Sequence, residues 1–119
     1  MDAILIVDDE ALVRQVLSDA LAYLGFTPLL AADCYQAMSV LSRHPETKIV
    51  ILDVNLPYVD GHRCFHQLID VAAHLQFIMI SGDDQIVIDH MVVDDQVAGF
   101  IQKPFDLRQL DMTIRTLLA

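Results

Sequence analysis

Five short apolar runs, each followed by a stretch with helical period, restrict this chain more than any other feature of it. Ala3 to Val7 (A-I-L-I-V) is continuously apolar and rich in branched residues, the pattern of a strand buried on both faces. From Ala11 the period changes. Val13, Val16/Leu17, Ala20/Leu21 and Leu24 share one helical face, and Gly25 is the stop. Thr27 to Ala31 reads as a weaker strand nearer an edge. Ala37, Met38 and Leu41 mark a second helix that ends before Pro45. Ile49 to Leu52 is the strongest strand signal and runs straight into Asp53. The segment Asn55 to Gly61, with Pro57, Asp60 and Gly61, is a loop. Phe65, Leu68/Ile69 and Ala72 return to helical spacing. Phe77 to Ile80 is a fourth strand ending at Ser81-Gly82, and a helix is expected from about Asp84 to Val93. Ala98 to Gln102 forms the fifth strand and leads to Lys103-Pro104. Leu107, Leu110, Ile114 and Leu117/Leu118 line the last helix. Strict alternation of this kind predicts a parallel sheet with helices on both faces.

The 119 residues fit one domain spanning 1–119. No linker, repeat or low-complexity segment interrupts it, and no second domain is expected. No apolar run is long enough to span a bilayer. Asp2 follows Met1, and Asp8 and Asp9 interrupt the first apolar run, so no N-terminal signal is legible and a cytoplasmic location is expected. The formal net charge of -10 repels a phosphate backbone, and no basic stripe offsets it. Direct nucleic-acid binding is therefore not expected. A basic partner or a divalent cation suits such a surface. Cys34 and Cys64 lack metal-ligand spacing and are expected to be reduced, buried thiols.

The strand ends carry the chemistry. Parallel α/β sheets gather ligands in the crevice at the carboxyl ends of their strands. Asp8 and Asp9 close the first strand, Asp53 the third, Ser81 the fourth, and Lys103 follows the fifth. Three carboxylates drawn together repel one another unless a hard cation sits among them. Mg²⁺ fits, because it takes oxygen ligands and keeps waters; Mn²⁺ is an alternative. A carboxylate can also accept a phosphoryl group as an acyl phosphate, which needs placement and charge neutralisation. Asp53 is the expected nucleophile, since it lies between the acidic pair and the Lys103/Ser81 side. Any one of these acids alone reads equally well as a helix cap or a turn residue. Four strand-end signals in order are much harder to obtain by chance.

The segments I-L-I-V-D-D-E (Ile4 to Glu10), I-V-I-L-D-V-N-L-P-Y-V-D-G (Ile49 to Gly61), M-I-S-G (Met79 to Gly82) and G-F-I-Q-K-P-F (Gly99 to Phe105) stand in this order. With them the chain resembles, over essentially its whole length, the receiver domain of two-component response regulators, chemotaxis regulators included. The resemblance implies a flavodoxin-like, doubly wound, five-stranded parallel sheet of order 2-1-3-4-5 with five helices. It implies that Asp53 takes a phosphoryl group from a histidine kinase or phosphotransfer protein. Asp8 and Asp9 match the acidic pair holding Mg²⁺ directly or through water, and Asn55 the position whose backbone carbonyl binds the metal. Ser81 matches the switch hydroxyl, Lys103 the phosphate-binding lysine, and Phe100 the aromatic that turns inward. Asn55 and Asp83 fall where the family tunes water's access to the acyl phosphate. The implied role is a signalling phosphoacceptor, partly self-catalysed, rather than an enzyme. It reaches an output domain or protein through the helix over Asp84–Val93, the fifth strand and the last helix. The lysine–proline bond is typically cis in the family.

Some residues depart from the pattern. Gly82 stands where the family usually has Ala. The helix over Asp84–Val93 is apolar around much of its circumference, which suggests a partner or a homodimer contact. Val97-Ala98-Gly99 replaces the usual Gly-Ala turn before the fifth strand. His62 and His66 could share a helical face but make at most half a zinc site. Two other functions compete. A haloacid-dehalogenase-type phosphatase also forms an aspartyl phosphate, but its nucleophile opens a D-x-D near the N-terminus. A receiver-like interaction domain without phosphate chemistry is disfavoured by the complete set of site residues.

Overall fold

The computed structural model describes residues 2–82 and 97–119. The helix expected over Asp84–Val93, the acidic residues from Asp83 to Asp95, the homodimer contact placed there and the side chain of His62 lie outside the described residues. Five strands, β1 (Ala3–Val7), β2 (Thr27–Ala31), β3 (Ile49–Asp53), β4 (Gln76–Ser81) and β5 (Val97–Gln102), form one parallel sheet of order β2-β1-β3-β4-β5. Helices α1 (Ala11–Tyr23), α2 (Cys34–Arg43), α3 (Gly61–Val71) and α4 (Leu107–Leu118) complete the described elements. The architecture and strand order are those the sequence implies.

Side chains alternate across each strand, and the alternation sorts the core by residue type. Ile4, Ile6, Ile49, Ile51, Ile78, Ile80 and Ile101 point to one face, under Leu17 and Leu21 of α1 and Leu110 and Ile114 of α4. Leu5, Val7, Val50, Leu52, Phe77 and Met79 point to the other, under α2 and α3. Covered on both sides, β3 is buried at every residue, which is why it reads as an unbroken apolar run. At the sheet edge, β2 tolerates Pro28, whose missing N–H matters little there.

The expectations differ from the structure at two points. The fifth strand starts one residue earlier than expected, at Val97 rather than Ala98. Val97 pairs with Phe77 and Gly99 with Ile78, so Ala98 is an extra residue in an irregular ladder. The cysteines are not separate thiols: Cys34 and Cys64 are joined in a disulfide, with Cα atoms 5.6 Å apart. They stand 30 residues apart in the chain, but each lies in the first turn of a helix, and α2 and α3 cover the same sheet face. Spacing along the chain could not reveal that meeting. Among the described residues no helix is long and apolar enough to cross a membrane.

Candidate functional site

The sheet order puts its switch point between β1 and β3, where the chain turns one way to β2 and the other way to β3. Val7 pairs with Leu52, so the next residues on each strand, Asp8 and Asp53, emerge side by side. Both are buried, at 0% and 2% exposure. Asp53 pairs with Ile80 and Ser81 with Gln102, which brings Ser81 and Lys103 to the same edge. The Lys103 N–H donates to the Ser81 carbonyl at 2.7 Å, and the Lys103–Pro104 peptide is cis.

Lys103 is the hub of the charges. Its Nζ lies 3.1 Å from Asp8 Oδ2, 3.3 Å from Asp53 Oδ2 and 3.5 Å from Glu10 Oε1. The other oxygens of the two aspartates are held by main chain: Asn55 N–H donates to Asp53 Oδ1 at 3.0 Å, and Glu10 N–H to Asp8 Oδ1 at 2.9 Å. Arg14 Nη1 donates to the Asp8 carbonyl at 2.7 Å, pinning the turn into α1. Burial pushes the Asp53 carboxyl up to about 6; the Asn55 N–H and Lys103 oppose this, and the Asp8 charge adds to it. Burial would lower the Lys103 ammonium, but Asp53 and Asp8 more than offset it and hold it above its ordinary value.

Carboxylate oxygens of Asp8, Glu10 and Asp53 lie within 4.8 Å of one another. Three carboxylates against one ammonium leave two negative charges in a half-dry crevice, which a divalent cation balances. Asp8 Oδ2 is buried and, apart from the Lys103 ammonium 3.1 Å away, meets no donor among the described residues. A buried carboxylate oxygen in that position is costly unless something more binds it. The donor set is all oxygen, as magnesium requires, so the residues present fit the ion.

Of the residues expected from sequence, Asp8, Asp53 and Lys103 are in direct contact, and Ser81 is buried at the adjoining strand end. Asp9 is exposed and falls outside the three-carboxylate group. Phe100 is partly buried, pairs with Met79 and packs on the α2/α3 side. Two contributors escaped the sequence reading. Glu10 is the third letter of D-D-E, a position that in the sequence alone carries no role. Gly61 reads in the sequence only as a turn marker. A Cβ on it would sit 2.5 Å from the Asp53 carbonyl oxygen and 2.6 Å from Val54 Cα, and its N–H donates to the Val54 carbonyl at 2.8 Å. Only glycine lets α3 start this close to the strand that carries Asp53.

Beside the acids runs an apolar groove of about 440 Å³, lined by Leu12, Val13, Val16, Lys103, Pro104 and Phe105. Leu12 is 76% exposed, a large apolar side chain left uncovered.

Comparison with known proteins agrees with this geometry. The family model for the response regulator receiver domain matches residues 4–115. The chain is 32% identical to a probable transcriptional regulator, ycf27, of Porphyridium aerugineum, over 98% of this chain and 48% of that one. It is also 32% identical to the sensor kinase CckA of Brucella abortus, over 97% of this chain and 12% of that one. The crystal structure of the NtrX receiver domain from Brucella abortus superposes with a TM-score of 0.88 at 26% identity, covering 97% of each chain. This chain belongs to the response regulator receiver domain family of two-component systems. Receiver domains are signalling phosphoacceptors that work with sensor kinases and output domains. The chain spans about half the length, or less, of the curated relatives it matches. The phosphatase and the phosphate-free interaction domain are not favoured.

Proposed function

We propose that Asp53 is the phosphoacceptor of a two-component signalling pathway. The observation that carries this is the placement of its carboxylate. It is buried at a strand end, oriented through Asn55 N–H and Lys103 Nζ, and faces a second buried acid. An Asp53 oxygen attacks the phosphorus of a phosphohistidine on a histidine kinase or phosphotransfer protein. The P–N bond breaks, and the imidazole keeps its electron pair and takes up a proton. Lys103 neutralises charge on the arriving phosphoryl oxygens, where positioning and electrostatics supply most of the catalysis. Asp8, Asp53, the Asn55 carbonyl and, by a turn of its exposed side chain toward the crevice, Asp9 would hold Mg²⁺, with Mn²⁺ as an alternative. The ion when bound supplies positive charge to the phosphoryl oxygens. The groove beside Lys103 gives a donor helix an apolar seat against α1.

Ser81 then donates its hydroxyl to a phosphoryl oxygen, and Phe100 turns into the space released. The surface around β5 and α4 changes shape, which an output domain or separate protein reads as a population shift. Asn55 and Asp83 set water's access to the acyl phosphate. The chain acts on itself rather than turning over a separate substrate, and it works in the cytoplasm without membrane or nucleic-acid contact of its own. The Cys34–Cys64 bond runs against that location, since reducing compartments rarely keep disulfides. Alkylation of free thiols in intact cells decides that point.

The test of the central reading is intact mass after treatment with acetyl phosphate and Mg²⁺, for this chain and for Asp53→Asn. One phosphoryl adduct is expected on the first and none on the second. An adduct undiminished in Asp53→Asn would refute the assignment. Hydrolysis of a general phosphate ester would revive the phosphatase.

A further inference from the structure

We propose that Glu10 is a positioning residue for Lys103: its carboxylate tethers the ammonium at the mouth of the site and competes for it with an arriving phosphoryl group. The kinetic half of this rests on the phosphoacceptor reading of Asp53, whereas the tether is a property of the resting molecule.

The helix starts show why Glu10 is unusual. Asp33, Asp60 and Asp106 each cap their own helix, the side chain accepting from Gln36, Arg63 and Arg108 N–H respectively. Glu10 occupies the same position before α1 but makes no side-chain cap hydrogen bond. Short acceptors are preferred there because they reach the first-turn N–H groups. Glu10 instead extends to Lys103 Nζ, 3.5 Å away and 93 residues along the chain. A residue that forgoes its local role to make a distant contact marks functional use. Any acid here would also favour the helix dipole, but that service does not require reaching Lys103.

The three partners of Lys103 are not equivalent. The side chains of Asp8 and Asp53 are 0% and 3% exposed, while Glu10 is 62% exposed. An ammonium has three donors, and here three carboxylates face it. When Asp53 gains a phosphoryl group, Lys103 must turn toward the new oxygens and give up a partner. Glu10 is the partner that water can replace. Until released it restrains the lysine, and its charge repels an anionic donor. An exposed pair is weak, so its removal should change rates by about two- to fivefold rather than by orders of magnitude.

Glu10→Gln and Glu10→Asp separate tether from charge. Gln removes the charge. Asp keeps it but is one methylene shorter and free to cap α1. The chain contains two lysines, Lys48 and Lys103, so ¹⁵N-lysine labelling gives Lys103 a side-chain signal with Lys48 as internal reference. Without donor or metal, the Lys103 signal should move in both variants while Lys48 stays. With acetyl phosphate at saturating Mg²⁺, adduct formation followed by intact mass should accelerate about two- to fivefold in both. An unmoved Lys103 signal in both variants overturns the tether whatever the rates. A moved signal with unchanged rates overturns the restraint on transfer. Acceleration in Gln alone assigns the effect to charge and overturns positioning. Asp53→Asn tests the phosphoacceptor reading separately, so the two failures are distinguishable.

Discussion

Replacing Asp53 by Asn should make this protein more stable while abolishing its proposed chemistry. Asp53 is 2% exposed, and burial holds its carboxyl near 6 rather than 3.8. A carboxyl raised in the folded state binds its proton more tightly there than in the unfolded chain. Folding is therefore unpenalised below the unfolded value. The cost builds as pH rises from about 3.8 to about 6 and is complete above that. At about 1.4 kcal/mol per pKa unit, the ionised Asp53 costs roughly 3 kcal/mol at neutral pH, Lys103 already included. Asn keeps an oxygen for Asn55 N–H but turns an amide toward Lys103, so the gain should be nearer 1–2 kcal/mol. For a domain of this size that is a rise in Tm of roughly 4–10 °C. Thermal unfolding followed by circular dichroism in chelator measures it. The gap should shrink as pH falls through 6 toward 4, and shrink also with Mg²⁺, which favours the ionised set. A variant no more stable than the parent at neutral pH, or a gap that widens toward acid, would refute the reasoning.

Three further outcomes follow from the same geometry. Gly61→Ala drives a methyl into the Asp53 carbonyl and Val54 Cα, at 2.5 and 2.6 Å; a loss of about 1–3 kcal/mol or more is expected, read from the urea midpoint, and parent-like stability would contradict the close approach. Lys103→Met leaves Asp8, Glu10 and Asp53 unopposed; stability at neutral pH should fall by about 3 kcal/mol, with Mg²⁺ restoring part, and a loss indifferent to Mg²⁺ would count against a shared charge site. Adduct formation on Asp53 needs the carboxylate, so at low Mg²⁺ its initial rate should fall as pH drops through about 6, with the midpoint moving lower as Mg²⁺ is raised; a rate that climbs in acid would be incompatible.

Much of the fold was legible because its signals are local. Ile49 to Leu52 is apolar at every position since β3 is covered on both faces. Gly25, with φ of +93°, closes α1 where the helical period stops. The helix limits were less legible: α2 starts at Cys34, ahead of its first periodic residue, because Asp33 caps it. The irregular β4–β5 ladder falls where Val97-Ala98-Gly99 departs from the family pattern, but the departure does not say which residue is the extra one. The Cys34–Cys64 meeting depends on two helices lying over one sheet face, a relation between distant segments.

The order of residues by itself determined which side chains close the strands: Asp8, Asp53, Ser81 and Lys103 follow apolar runs whose period is a short-range property. Three-dimensional packing alone decided which carboxylates face the lysine. Asp9 and Glu10 are neighbours of Asp8 and chemically interchangeable on paper, yet Glu10 reaches Lys103 and Asp9 stays in solvent. The direction of a side chain at a strand-to-helix turn is set by the turn's backbone and by what arrives from the far end of the chain.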